Sequence, residues 1–188
     1  MSGKDPDLDA AGGALGNKFG LARPADLDIV ERRFVTQRIA EGAPQGGFDL
    51  RHLRAIHRHL FQDLFEWAGD LRAVELEKDG EHFQRADRLA GDLDAIHRDL
   101  AGRDFLRGLA PGDFARELAG LAGDLHFVQP FREGGGQALM LYLKQLAQAA
   151  GHPLDLARIP AEPWIEALRA SLAGDMEPMA GLITFALD

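Results

Sequence analysis

The chain is organised around one segment, Leu125-His126-Phe127-Val128-Gln129-Pro130-Phe131-Arg132-Glu133-Gly134-Gly135-Gly136-Gln137. A helix that begins near Phe114 leads into it, with apolar residues spaced i, i+3, i+7 and i+10 at Leu118, Leu121, Leu125 and Val128. Residues 138–150 follow it and are apolar on nearly every side, which is typical of a helix buried in the middle of a domain. The sequence therefore predicts a central pair of helices joined by this segment.

Three consecutive glycines end the segment and open directly into the second helix. Glycine adopts positive φ without strain and lets a ligand approach the backbone closely. The first N–H groups of a helix have no partner within it, and the helix dipole adds partial positive charge there. Gly134–Gly136 thus predict a nest for an anion such as phosphate, with Glu133 placed to hold a divalent cation that bridges phosphates. A flexible turn that binds nothing is the alternative.

Composition limits the classes of partner. The chain has 188 residues, enough for one domain with a good core. Its net charge of −9 argues against binding to nucleic acid and to anionic membranes. The absence of cysteine excludes disulfides and thiol catalysis. No stretch reaches the roughly 20 apolar residues of a spanning helix, and the N-terminus lacks a signal-peptide core, so we expect a cytoplasmic protein without membrane insertion.

The remaining sequence indicates one mostly α-helical domain. Residues 1–20 predict a loosely ordered lead-in, and residues 21–188 a single domain. Helices are predicted over 24–40, 50–65 and 86–100, and from Pro163 and Pro178 onward. One strand-like stretch, 71–84, carries Asp79-Gly80, a strong signal for a two-residue β-hairpin turn. The predicted fold class is all-α with one small hairpin.

The central segment resembles the signature loop of the Fic (Fido) family, His-Pro-Phe-x-Asp/Glu-Gly-Asn-Gly-Arg-x-x-Arg. The residues that match this pattern are Pro130, Phe131, Glu133, Gly134 and Gly136. The residues that depart from it are Gln129 for the histidine, Gly135 for the asparagine, and Gln137 and Met140 for the two arginines.

The resemblance extends over residues 25–187. Residues 47–72, with Trp67-Ala68-Gly69 near their end, are similar to a second family block that leads into a β-hairpin. Residues 151–155 and Pro163-Trp164 are similar to the region after the signature loop. This implies a Fic-type helical domain around a central helix pair, with the hairpin serving as the flap over the site.

The resemblance also implies a reaction, the transfer of AMP from ATP to a Ser, Thr or Tyr hydroxyl of a target protein. The loop histidine is the general base, the acidic residue holds Mg²⁺, and the glycine amides and arginines hold phosphates. Carried over to this chain, Glu133 becomes the metal ligand and Gln129 occupies the catalytic position. The nucleotide-binding residues would be Phe131, Arg132, Gly134, Gly135, Gly136 and Gln137, and the target-binding flap residues Arg72, Val74, Glu75, Leu76 and Glu77.

Gln129 puts that reaction in question, because an amide has no usable basicity near neutral pH. Loss of a general base typically costs about 10²–10⁴-fold in rate. Replacement of both arginines also removes charge-assisted contacts to phosphate. We therefore predict a catalytically impaired Fic-fold pseudoenzyme or protein-interaction module, with binding of ATP and Mg²⁺ weakened or lost.

Two active alternatives stay open. One is a divergent transferase that uses UMP, phosphocholine or a sugar nucleotide as donor, or another base; His126, three residues before Gln129, is the candidate base, although it also fits a structural role. The other is an ordinary AMP transferase. The expected partners are a target protein on the flap and a small antitoxin-like or regulatory protein, with the chain acting in the cytoplasm or delivered into another cell as an effector.

Overall fold

The structure is a computed structural model that describes residues 13–78 and 80–187. Within these ranges it contains seven α-helices, one two-stranded sheet and three short 3₁₀ segments. The helices are α1 (Pro24–Glu41), α2 (Leu50–Phe61), α3 (Leu89–Gly102), α4 (Pro111–Val128), α5 (Gly135–Ala150), α6 (Ala161–Leu172) and α7 (Glu177–Ala186). The predicted all-α fold class is confirmed. No helix in these ranges is long and apolar enough to cross a membrane.

The predicted central pair is α4 and α5. All four residues of the predicted α4 stripe are buried: Leu118, Leu121, Leu125 and Val128. Helix α5 buries its own apolar residues along most of its length, from Ala138 to Ala150. Helix α4 packs mainly on α7, and α5 packs mainly on α2. The segment between α4 and α5 is therefore fixed by helices on several sides.

Helix α2 is shorter than the predicted 50–65. Its start is as expected, since the Asp49 side chain accepts a hydrogen bond from the His52 N–H at 2.8 Å. It ends at Phe61, whose carbonyl accepts the N–H groups of both Leu64 (2.9 Å) and Phe65 (3.0 Å) in a tight turn. This turn stacks the Phe65 ring on Trp67 at 4.2 Å, a contact that an extended helix would not make.

The predicted hairpin is present and very short. Strand β1 (Glu77–Lys78) pairs antiparallel with β2 (Glu81–His82), with Glu77 opposite His82. Gly80 has the positive φ of +80° that the predicted turn requires, while Asp79 lies outside the described residues. Because so short a hairpin is unstable alone, it depends on contacts with the helical body.

The described part of the lead-in, residues 13–20, is held against the domain and differs from the loose segment predicted. Ala14 is buried, and the Lys18 N–H donates to the Leu64 carbonyl at 2.8 Å. The Asn17 side chain donates to the carbonyls of Leu15 and Leu21, so it closes a local turn there. Residues 1–12 of the predicted lead-in, and Asp188 of the predicted domain, lie outside the described residues.

Candidate functional site

The loop between α4 and α5 begins at Gln129, which adopts an unusual backbone conformation. Gln129 caps α4 with φ 39° and ψ 69°, in the left-handed region that non-glycine residues rarely occupy. Its N–H still donates to the Leu125 carbonyl at 3.2 Å. Arg72 holds Gln129 and the next residue in place. Its side-chain Nε donates to the Gln129 carbonyl at 2.7 Å, and its backbone N–H donates to the Pro130 carbonyl at 2.9 Å.

Arg72, one of the predicted target-binding flap residues, has its side chain inside the protein. Only 4% of the residue is exposed. Its guanidinium also donates to the carbonyls of Val74 at 2.7 Å, of Val128 at 3.3 Å and of Gln84. Burial lowers its pKa, with smaller effects from Glu75 and Arg132. A cation at the C-terminal end of α4 is favoured by the helix dipole. Through its hydrogen bonds Arg72 connects the hairpin to the loop.

The other predicted flap residues lie along the hairpin. Val74 and Leu76 are half-buried, and Glu75 and Glu77 are exposed. The Glu75 carboxylate accepts the Ala86 N–H at 3.3 Å, and the Glu77 carboxylate lies 3.7 Å from His82 Nδ1. Their role in binding a target protein stays a prediction.

Gly134 is required for two reasons. It precedes α5 with φ +74°, and a Cβ atom added there would lie 2.1 Å from Cζ of the buried Phe61 ring. Its N–H donates to the Glu133 carboxylate at 3.2 Å. The glycine therefore allows the loop to lie directly on α2.

The first turn of α5 presents backbone donors, as the glycine triplet predicts. No side chain caps the helix, and its first internal hydrogen bond from this end runs from the Ala138 N–H to the Gly134 carbonyl at 3.2 Å. The N–H groups of Gly135, Gly136 and Gln137 consequently have no partner within the helix. Gly136 is exposed with open space where a Cβ would lie, whereas Gln137 is half-buried.

The Gln129 side chain lies beside this nest. A Cβ atom added to Gly135 would be only 2.5 Å from Gln129 Oε1. The amide of Gln129 therefore fills the space that a side chain at position 135 would need. Two of the four departures from the family pattern, Gln129 and Gly135, therefore lie side by side.

A cavity of about 10 Å³ borders the nest, between α2, α4 and α5. It has room for about one water molecule and is far below the roughly 300 Å³ of small-molecule pockets. None of its lining residues belongs to the hairpin, although the sequence placed the nest beneath the hairpin. His126 shares this cavity with Gln129; its Nε2 atom is buried, and its ring meets Phe83 edge-on at 5.6 Å.

His57 fixes the underside of the loop. Its Nδ1 accepts the Gly69 N–H at 2.9 Å, so Nε2 carries the proton and donates to the Glu133 carbonyl at 2.9 Å. Phe131, predicted to contact nucleotide, is buried and stacks on His57 at 3.8 Å. Burial lowers the pKa of His57 to about 4, so the ring is neutral at pH 7. His57 therefore couples the loop to α2 and to Trp67-Ala68-Gly69.

Glu31 of α1 is a residue near the site that the sequence analysis missed. Burial, followed by the negative charge of Glu133, raises the pKa of Glu31 to about 7. The sequence pattern that could have identified Glu31 is its position four residues from each of Leu27 and Val35. This spacing places it on the buried face of α1 with them. Two carboxylates suit Mg²⁺ when phosphates complete its coordination. No group of three or more His, Asp or Glu in the described ranges could hold a metal by itself.

Known proteins resemble the whole chain. It is 31% identical over 170 residues to y4lH, a probable protein adenylyltransferase of Sinorhizobium fredii, covering 90% of this chain and 88% of the relative. It is 34% identical over 182 residues to the protein adenylyltransferase VbhT of Bartonella schoenbuchensis, covering 95% of this chain and 38% of VbhT. No protein-family model matches the chain.

Solved structures give the same architecture. The BepC protein of Bartonella tribocorum, a VirB-translocated effector with bound AMPPNP, has a TM-score of 0.86 at 26% identity, covering 97% of this chain and 96% of that one. An N-terminal Fic domain of Bartonella quintana with bound ADP has a TM-score of 0.87 at 25% identity, covering 97% and 94%. Two relatives of this fold therefore bind adenine nucleotides.

Proposed function

Because the chain belongs to the Fic family of protein adenylyltransferases, we propose that it uses this scaffold to bind a partner protein while its AMP transfer is impaired. The observation that carries the proposal is Gln129, at the position of the family's histidine, with its amide against Gly135. The fold is intact around a residue that cannot act as a base.

The chemistry of transfer explains the impairment. The target hydroxyl oxygen attacks the α-phosphorus of ATP, the bond to pyrophosphate breaks, and the hydroxyl proton needs an acceptor. Gln129 offers none, which corresponds to a loss of about 10²–10⁴-fold. His57 does not replace it, since both ring nitrogens are engaged and its pKa is about 4.

Nucleotide binding is weakened rather than abolished in this proposal. The N–H groups of Gly136 and Gln137 remain at the start of α5, where phosphate is favoured. The Gln129 side chain lies beside Gly135, and its amide oxygen would disfavour phosphate next to it. Arg132 would be the remaining cation of the loop, and Glu133, with Glu31 nearby, would hold Mg²⁺.

The partner would dock on the hairpin. A two-stranded sheet leaves edges that can pair with an extended segment of another protein. Phe127 lies next to the hairpin, since the Gln84 N–H donates to the Phe127 carbonyl at 3.0 Å. Its side chain is 42% exposed and would give the partner an apolar anchor. A target protein would bind this edge, and a small antitoxin-like or regulatory protein would be a further partner, in the cytoplasm or after delivery into another cell.

A second candidate is a divergent transferase with His126 as its base. The observation that favours it is that His126 and Gln129 line the same cavity next to Gly135 and Gly136. Its donor would be ATP or another of the family's donors, such as UTP, CDP-choline or a sugar nucleotide.

The test is transfer of label from ATP, with Mg²⁺, to the protein itself and to lysate proteins. We expect no transfer by the wild type and little by Gln129→His, because phosphate is still poorly held. Adding Gly135→Asn and Gln137→Arg should restore more than the sum of the single changes, since base and phosphate contacts act as a unit. Thermal unfolding of each variant controls for loss of fold.

Efficient labelling by the wild type would overturn the proposal. If His126→Ala then abolished that labelling, the base would be His126 and the second candidate would be correct. Parallel reactions with labelled UTP, CDP-choline and a sugar nucleotide identify a donor other than ATP.

A further inference from the structure

A second and much larger concavity lies on the solvent side of α2. It measures about 460 Å³, within the usual range for small-molecule sites. It is lined by the exposed face of α2, the turn at residues 68–70 and Asp94 of α3, and by no residue of the α4–α5 loop. This groove is therefore separate from the candidate site described above.

Small residues between the long side chains of the lining leave room for this groove. Ala55, Ala68 and Gly69 line it, and a Cβ added to Gly69 would lie 2.9 Å from Cβ of Arg58. The turn thus packs directly on α2, and the space above the floor is bounded by long charged side chains.

Three arginines of α2, Arg51, Arg54 and Arg58, line one side of the groove. Arg54 is already engaged, because Nε donates to the Gly69 carbonyl at 2.7 Å and an Nη to the Asp70 carboxylate at 2.9 Å. Arg51 and Arg58 have neither a hydrogen bond nor an ion pair from their side chains to any described residue. Two guanidinium groups without a partner among the described residues therefore line one groove of a chain whose net charge is −9.

The carboxylates of the groove do not neutralise this pair. Asp49 is used as the cap of α2 and Asp70 pairs with Arg54. Asp94, on the opposite wall, is the remaining acidic residue of the lining. Two guanidinium groups therefore face one carboxylate, and the N-terminus of α2, which opens into the groove at Leu50, adds partial positive charge.

We propose that this groove binds a small phosphate-class polyanion, a diphosphate or phosphate ester that bridges Arg51 and Arg58. Their Cα atoms are seven residues apart on one helix, about 10.5 Å along its axis, a distance that two flexible side chains can close around one ligand. Planar guanidinium groups bind phosphate oxygens in pairs. Asp94 would disfavour the ligand unless it also offers a hydrogen-bond donor.

The experiment follows amide chemical shifts of the full chain during titration with inorganic pyrophosphate. We expect saturable shifts at residues 50–54 and 68–70, and a loss of affinity of roughly tenfold for each of Arg51→Gln and Arg58→Gln. Arg33→Gln, an exposed arginine of α1, is the matched control and should leave the affinity unchanged. Asp94→Asn should increase the affinity, a gain that a purely structural residue would not give.

Three results would contradict the proposal. The first is the absence of saturable shifts at residues 50–70. The second is an affinity that Arg51→Gln and Arg58→Gln leave unchanged, or shifts confined to the amides of Gly134–Gly136, which would place the anion at the start of α5. The third is binding of an acidic peptide, but not pyrophosphate, in the groove, which would make it a protein-docking surface.

Discussion

Gln129 and Gly135 are best understood as one packing arrangement. The Oε1 atom of Gln129 lies where a side chain at position 135 would begin. An asparagine at position 135 would therefore displace Gln129, and a shorter residue at 129 would leave space beside Gly135. Restoring the family pattern at only one of these positions disturbs the other, which is why the combined variant is the informative one.

Gly134 and Gly136 are adjacent in sequence but should respond oppositely to alanine. Gly134→Ala forces a Cβ onto the Phe61 ring and a non-glycine residue into φ +74°, so we expect a loss of about 3 kcal/mol in the free energy of unfolding. Gly136→Ala meets open space in a helix and should stabilise by about 0.5 kcal/mol. Urea unfolding measures both. Equal effects would mean that the loop does not rest on Phe61.

Sequence predicts residues of the site when their roles are local. The glycine triplet, Glu133 and the stripe through Leu125 follow from spacing and chain conformation alone. Arg72 and Glu31 do not, because their environments are set by contacts with segments distant in sequence, α4 for Arg72 and Glu133 for Glu31. An exposed hairpin arginine and a buried one look the same in the sequence.

At the scale of elements, the hairpin and α4 form one unit through Arg72. Two residues per strand give too few hydrogen bonds for stability. The buried guanidinium connects carbonyls on both arms of the hairpin, Val74 and Gln84, with the carbonyl of Gln129 at the end of α4. The same contacts hold Gln129 at positive φ, so hairpin and loop geometry should change together.

Arg72→Lys should loosen both parts. A lysine has one donor centre and cannot reach all of these carbonyls, so buried acceptors are left unsatisfied at a cost of about 2–3 kcal/mol. We expect faster amide hydrogen exchange over residues 74–84 and at Gln129. The control is Arg85→Lys, an exposed arginine just after the second arm of the hairpin that pairs with Asp87. Exchange that is unchanged in Arg72→Lys would show that the hairpin is held by other contacts.

The boundaries of elements were harder to predict than their existence. Helix α2 starts at its predicted cap, but stops four residues early because Phe65 stacks on Trp67 after a turn. Helix α5 begins at Gly135, three residues before the apolar run, since Gly134 supplies the cap. Periodicity marks the buried face of a helix, whereas its ends depend on single side-chain contacts.

At the scale of the whole molecule, two residues from different helices that interact with Glu133 have pKa values shifted in opposite directions. His57 of α2 donates to the Glu133 carbonyl and Glu31 of α1 faces its charge. Burial lowers the pKa of His57 from 6.5 to about 4 and raises that of Glu31 from 4.5 to about 7. The folded loop therefore disfavours a proton on His57 and favours one on Glu31 across nearly the same pH range.

The two residues should have opposing effects on the pH dependence of stability. As pH falls from 6.5 towards 4, the unfolded chain takes up a proton at His57 that the folded chain does not, so His57 lowers the free energy of unfolding. As pH falls from 7 towards 4.5, the folded chain takes up a proton at Glu31 first, so Glu31 raises it. The free energy of unfolding, measured with guanidinium chloride across this range, should therefore decline more steeply towards acid in Glu31→Gln than in the wild type, and less steeply in His57→Gln. Slopes that moved in the same direction in both variants would show that the two groups do not oppose each other. The test compares the slope of the free energy of unfolding against pH in each variant with that of the wild type. A general loss of stability in His57→Gln, which shifts the whole curve, does not affect this comparison.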